Sequence, residues 1–269
     1  MNRVISMDSI YLSAQKPQKS CQDYCLVDPD NQIMILSDGC SSSKNTDVGA
    51  RILCHRAKLH LKNQSPNLVK YFWFTHVIFP SFEIIKEMEL NLDCLDSTLI
   101  VGYIDQDEIK IVTYGDGSHI TVNKNGEINT FVSFSYDQNA PYYLSYLLNN
   151  ERSQEYKRVV KDKKIETYYS ENDSVSETIN PCISDLSTYQ INELSMVMIT
   201  SDGIESFFNY KTGEKIPSIE VVKELIRIKS KNGDFVKRRV KRMMEDFAKK
   251  DIYNSDDLSV CAFIFDENI

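Results

Sequence analysis

The sequence has no long apolar run in its opening residues, MNRVISMDSIYLSAQ, so no secretory leader is expected. It also lacks a segment able to cross a bilayer. The most apolar stretch, YFWFTHVIFPSF at 71–82, falls short of the roughly 20 residues a span needs and carries His76 and Pro80. A core helix is expected there. No CxxC pair occurs among the seven cysteines. Cys21 and Cys25, spaced CxxxC, would be half a zinc site whose other half is missing. Reduced, mostly buried thiols are therefore expected, as befits a reducing cytoplasm. An excess of basic residues is missing too. The net charge of -8 argues against a nucleic-acid partner. These absences lead us to expect a cytoplasmic protein with neither nucleic acid nor membrane as a partner.

What is present suffices for one well-buried domain spanning 1–269, with 42% hydrophobic and 26% charged residues in 269. No repeat of fixed period and no low-complexity linker divides it. Strand-like runs open the chain: RVISM, YCLV at 24–27 and QIMIL after the turn DPDN. Residues 46–62 read as a helix with Val48, Ile52, Leu53 and Leu59 on one face, interrupted by Arg56 and His60. Two further helical stretches, 67–79 and 82–92, are separated at Pro80. A β meander follows: STLIVGYI, EIKIVTY, HITVNK and EINTFVSF, the last two joined by Asn125-Gly126, a strong hairpin signal. Residues 149–193 read as surface loops and edge strands, with some strand character in KIETYY. LSMVMIT at 194–200 is a buried strand, 217–228 and 234–250 are helices, and LSVCAFIF at 258–265 is apolar on both faces. Strand runs separated from helix runs predict an α+β layered fold.

Three apolar strands end alike. IMIL runs into Ser37-Asp38-Gly39, MVMIT into Ser201-Asp202-Gly203, and IVTY into Gly115-Asp116-Gly117. Asp23 precedes YCLV, and Asp256-Asp257 precede the last strand. A single Asp-Gly is an ordinary turn. Acidic groups at five such places, with Asp256-Asp257 as one, would repel one another and raise one another's pKa if gathered at the ends of buried strands, unless something cationic joined them. Hard divalent cations prefer such oxygen ligands, and Gly after Asp lets a backbone carbonyl approach an ion. Mg²⁺ or Mn²⁺ is the natural choice, because His and Cys spacing suited to zinc is absent.

Cys21-Gln22-Asp23, IMILSDG, STLIVGYI, TYGDGSHITVNKNGEI, VMITSDG and DDLSVCAFIF resemble, in this order, the motifs of the type 2C metal-dependent protein serine/threonine phosphatases, most closely a divergent bacterial branch. The resemblance spans about residues 18–265. It implies two antiparallel sheets packed as a sandwich with helices on the outer faces, two tightly bound Mg²⁺ or Mn²⁺ ions, and a possible weaker third. Asp38 matches the Asp bridging both metals, and Gly39 the Gly whose carbonyl binds the second. Asp202 and Asp256 match the remaining ligands of the first. Asp116 matches a ligand of the third, and Asp23 an acidic residue bound through water. Asp257 reads as a neighbour and not a ligand. The implied reaction is hydrolysis of phosphoserine and phosphothreonine in phosphoproteins by a water activated between the cations, in opposition to a kinase. Asp38, Asp202 and Asp116 would carry the catalysis.

Three positions depart from the family pattern. Cys40-Ser41 stand where many members have His-Gly, and Gly117 stands in place of Ser. The phosphate-binding Arg is not evident, leaving Lys16 or Lys19 as substitutes without its bidentate fork. A pseudophosphatase, the same fold used as a binding or regulatory module, is the alternative. The retained carboxylates speak against it, since a like-charged cluster is costly to keep. Phosphatases with an aspartyl nucleophile need a second Asp two residues on, where Cys40 and Ile204 stand. His55, His60, His76 and His119 read as core or surface residues, with His119, close to Asp116, the one to watch. The basic run Lys237, Arg238, Arg239, Lys241 and Arg242 reads as the solvated side of a helix, with a docking face as its other reading. The 149–193 segment is a variable excursion or a substrate-contacting flap.

Overall fold

The computed structural model describes residues 4–17, 20–63, 73–170 and 172–265. Two antiparallel sheets lie at its centre. The first runs β1 (Val4–Leu12), β15 (Leu258–Phe265), β11 (Leu194–Thr200), β6 (Gly117–Asn123), β7 (Ile128–Tyr136), β8 (Lys163–Tyr168) and β9 (Ser174–Ile179). The second runs β10 (Asp185–Gln190), β5 (Glu108–Tyr114), β4 (Leu99–Asp105), β3 (Ile33–Ser37) and β2 (Tyr24–Asp28). A small third sheet joins β13 (Glu214–Lys215), β12 (Phe207–Asn209) and β14 (Ile252–Asn254).

The strand sequences explain the layering. All eight residues of β15 are buried because one face meets the opposite sheet and the other meets helices. Between the sheets, Met34, Leu36, Ile100 and Ile111 face Val197, Ile199, Cys261 and Phe263. Outside the first sheet, α4 (Ser218–Leu225) and α5 (Phe235–Ala248) lay Val221, Leu225, Val240, Met243 and Phe247 on Met198, Val260 and Ala262. Outside the second, α1 (Thr46–Asn63) and α2 (Phe79–Glu87) cover Ile35, Val101 and Val112. The architecture is thus the expected α-β-β-α sandwich. The seven cysteines are all free thiols.

Several local expectations need correction. Pro80 does not divide two helices. A π-helical turn, Phe74–Ile78, runs directly into α2, and Pro80 sits in the first turn of α2, where no N–H is required of it. Residues 67–72 lie outside those described. The helix expected to 92 ends at Glu87, and Leu92–Leu95 form a separate 3₁₀ turn. On α1 the buried face is Ala50, Leu53, Cys54, Ala57 and Leu61, and Leu59 is 48% exposed. His60, expected to interrupt that face, is buried and stacks on His76 at 4.5 Å.

The 149–193 segment is regular. It holds α3 (Asn150–Val159), whose Asn149 Oδ1 accepts from Arg152 N at 3.1 Å, and strands β8, β9 and β10. Strand β9 has almost no buried residue and β10 alternates half-buried with exposed ones, so neither carries the apolar signal of a core strand. This segment also ties the sheets together. Lys163 of β8 is fully buried and ion-paired with Asp185 of β10, from one sheet to the other. His119 of β6 likewise reaches Tyr189 Oη of β10 at 2.7 Å. Burial pushes the His119 imidazole down to about 3, which makes it a neutral core group.

Candidate active site

The backbone beyond β3 stays zipped to the start of β4. Asp38 N donates to Thr98 Oγ1 at 3.0 Å, Thr98 N donates to Asp38 O at 2.8 Å, and Cys40 N donates to Asp96 O at 2.8 Å. The carboxylate of Asp38 is therefore fixed by a rigid strand end. A Cβ on Gly39 would lie 2.8 Å from Thr46 Cβ and 2.9 Å from Gln22 O, so only glycine lets α1 and the residues before β2 close around this turn.

Asp116 stands where β5 of one sheet hands the chain to β6 of the other. Gly115 (φ 87°) and Gly117 (φ 120°) on either side take the left-handed backbone that this sharp crossing requires. Asp202 opens a single 3₁₀ turn, Asp202–Glu205, directly after β11. A Cβ on Gly203 would meet Asp257 O at 1.8 Å, so this glycine allows the Asp202 turn to lie against the 256–257 segment.

These strand ends meet at one edge of the sandwich. Asp38, Gly39, Asp116, Asp202 and Asp256 line a single open cleft of about 300 Å³ together with Thr98, Gln138, Asn139 and Tyr143. A side compartment of about 160 Å³ shares Asp116, Asp202 and Asn139 and adds Glu205 and Lys215. Asp23 is 1% exposed and lies just behind, close enough for its charge to act on Asp38. Asp257 turns away from the cleft. Its carboxylate accepts from Ala14 N at 2.8 Å and Gln22 N at 2.6 Å and so clasps the N-terminal segment.

The electrostatics follow from the crowding. Burial, then Asp23, Asp202 and Asp116, push the Asp38 carboxyl well above its usual range. Burial, then Asp202, does the same to Asp116. Burial raises Asp23 to about 7, with Asp38, Ser259 and Ser201 partly offsetting it. Burial, joined by Asp256 and Glu205, raises Asp202 to about 6. Both oxygens of Asp23 and Oδ1 of Asp202 are buried acceptors without a hydrogen-bond partner. Among the described residues no three His, Cys, Asp or Glu side chains are grouped closely enough to hold a metal ion by themselves. Orphaned carboxylate oxygens spread round an open cleft fit a hard cation that keeps several waters, as Mg²⁺ does, and do not fit a closed zinc-type cage.

Some sequence expectations fall away here. Lys16 is not in the cleft: its Nζ sits over the Tyr253 ring at 3.5 Å. Lys19 lies outside the described residues. Lys215 is the only basic side chain lining either compartment among the described residues, and no sequence pattern pointed to it. Glu205 was also missed, although its place three residues after Asp202 puts it one 3₁₀ turn on. Asn139 and Tyr143 come from the segment after β7. Burial and the negative groups nearby keep the Tyr143 phenol protonated, a neutral donor facing the carboxylates.

Comparison with known proteins bears directly on this cleft. The family model for protein phosphatase 2C matches residues 12–246. The chain belongs to the protein phosphatase 2C family. Asp256 and β15 lie beyond the matched residues, so the position of Asp256 in the cleft rests on the structure. No curated protein matches the sequence significantly. Among solved structures, serine/threonine phosphatase Stp1 from Staphylococcus aureus superposes with a TM-score of 0.56 at 11% identity, covering 99% of this chain and 98% of that one. The Mycobacterium tuberculosis serine/threonine phosphatase PstP/Ppp superposes at 0.57 and 12% identity, covering 98% and 100%. The catalytic domain of PstP in complex with two manganese ions gives 0.55 and 12%, covering 98% and 99%. At such identities these likenesses establish a shared fold.

Proposed function

We propose that this phosphatase-family chain is an active, metal-dependent hydrolase of phosphoserine and phosphothreonine in proteins. In this reading residues 1–269 form one catalytic domain working in the cytoplasm against a cognate kinase. The observation that supports it best is the convergence of Asp38, Asp116, Asp202 and Asp256 on one cleft, with the first three carboxyls pushed up by burial and by neighbouring acids. When bound, Mg²⁺ or Mn²⁺ ions, two held tightly and a third loosely, would ready a water for in-line attack and screen the phosphoryl oxygens.

The residues divide the work. Asp38, Asp202 and Asp256 would hold the tight pair with the Gly39 carbonyl, and Asp23 would contribute through water. Asp116 faces both compartments and would hold the weaker cation while organising proton supply to the leaving oxygen. Lys215 would meet the phosphoryl group as a point charge. Asn139 and Tyr143 would supply neutral donors.

Substrate class is tested by comparing kcat/KM on phosphothreonine and phosphoserine peptides with that on nucleotide and sugar phosphates. The peptides are expected to win. A tenfold advantage for a small ester, about 1.4 kcal/mol of transition-state binding, would overturn the assignment. The roles of Asp116 and Lys215 separate kinetically. Asp116→Asn is expected to lower kcat on phosphopeptides more than on aryl phosphates, whose good leaving group needs less protonation. Lys215→Ala is expected to raise KM about tenfold on both with kcat nearly held, because it removes binding common to ground and transition states. Equal losses for Asp116→Asn on both substrates would put it in the tight site, and an unchanged KM would remove Lys215 from substrate binding.

A further inference from the structure

Charge is unevenly distributed. Residues 217–250 carry eleven Lys and Arg against five Asp and Glu, in a chain with 31 against 39 overall. On the helical layer outside the first sheet this excess lines a concavity. A groove of about 210 Å³ between α5 and the residues after α4 is bordered by Arg227, Lys229, Arg238, Arg239 and Arg242 over an apolar floor of Ile228 and Phe235. Glu224 is shared between Arg227 and Arg239, at 2.5 and 3.2 Å. The Arg239 side chain is only 11% exposed, and its buried Nε has no hydrogen-bond partner. Burial, with Arg227 and Arg242 adding to it, pushes the Arg239 guanidinium down against the pull of Glu224 and Asp246. Gathered cations of this kind are relieved by an anion, as the carboxylates of the cleft are by a cation.

The groove does not stop at its basic end. At Arg227 it adjoins a larger concavity of about 520 Å³, in which Ile128, Tyr169, Ile219 and Ile226 form an apolar surface bordered by Glu127 and Lys223. Tyr169 is 50% exposed. Neither concavity shares a residue with the catalytic cleft. Apolar surface leading into an arginine pocket matches an extended peptide with apolar residues followed by acidic ones. The strong negative charge of the rest of the chain disfavours a long polyanion such as nucleic acid, which would also run over the acidic parts.

We propose that the adjoining grooves beside α4 and α5 form a docking site for an apolar-then-acidic peptide segment of a partner protein. The test uses a fluorescent peptide in which Leu and Ile precede a run of Glu and Asp, titrated into the full chain. Controls are the same peptide with Gln and Asn replacing the acids, a short DNA duplex, and vesicles containing phosphatidylserine. The acidic peptide is expected to bind, to weaken with added salt, and to weaken at least about tenfold against the double variant Arg238→Glu, Arg242→Glu. Both side chains are exposed, so the fold should survive, as an unchanged melting temperature and unchanged aryl phosphate turnover would show. Ile219→Glu is expected to weaken the same peptide from the apolar end. Equal binding to wild type and the charge-reversed variant, no binding of the acidic peptide, or a preference for DNA or vesicles would each overturn the proposal.

Discussion

Asp38→Asn and Asp202→Asn are each expected to lower turnover at least about 100-fold while making the metal-free protein more heat-stable. The first effect follows from ligand chemistry: a neutral amide is a poorer partner for a hard cation, and losing such an electrostatic element typically costs 10²–10³ in kcat. The second follows from crowding. Asp23 and Asp202 are raised to about 7 and 6, and Asp38 and Asp116 are raised well above the usual range, mainly through burial. An unfolded Asp titrates near 3.9. The folded metal-free protein therefore keeps protons that the unfolded chain has released, and its stability falls as pH rises from about 4 through these values.

Two buried histidines act in the opposite direction. His60 and His119, lowered to about 4 and 3 mainly by burial, contribute stability that is present above their unfolded value near 6.5 and lost as pH falls below it. Between about pH 6.5 and 8 the histidines are silent and the carboxylates still titrate. Calorimetry in EDTA across that window should show the wild-type melting temperature falling with pH, and Asp38→Asn starting higher and falling less. A variant that keeps wild-type turnover, or that melts lower than wild type at pH 8 without metal, would contradict the site.

Lys163→Ala is expected to destabilise the protein by about 3–5 kcal/mol in urea titrations, the usual cost of leaving a buried ion without its partner. Lys163 is fully buried, its Nζ lies 5.0 Å from the Phe134 ring centroid, and it also donates to Ile183 O at 3.3 Å. Its partner Asp185 is 13% exposed and already raised by burial. Replacing both members with apolar residues of similar volume should recover much of the loss, because a well-packed apolar pair is often no worse than a buried ion pair. A single variant within about 1 kcal/mol of wild type would mean that water reaches Asp185 and that the clasp between the sheets is not needed.

Asp23, Asp38, Asp116, Asp202 and Asp256 were legible in the sequence because each flanks a strand written in unmistakable apolar residues. A strand end is rigid, so an acid placed there can be located from local pattern alone. Lys215 was not legible: it sits on the two-residue strand β13, and only the pairing of β12 with β13 and β14 brings it to the side compartment. Asn139 and Tyr143 follow β7 in a turn where Gln138 and Asn139 both take positive φ, with nothing periodic to betray it. The layers were legible from β11 and β15, which bury both faces. Edge strands within 149–193 were expected, but the bounds of β9 and β10 were not, because an edge strand with a wet face looks like a loop. Pro80 misled for a different reason: proline ends a helix when internal and starts one when in the first turn, and composition alone does not say which.

The most direct measurement is phosphate release from a phosphothreonine peptide by metal-free protein, followed before and after Mn²⁺ or Mg²⁺ is added and again after excess EDTA. Carboxylates without soft ligands should make turnover absent at first, present with the cation, and absent once the chelator is in place. Full activity in excess EDTA would contradict the account, and so would folded protein that binds the cations at the cleft yet releases no phosphate.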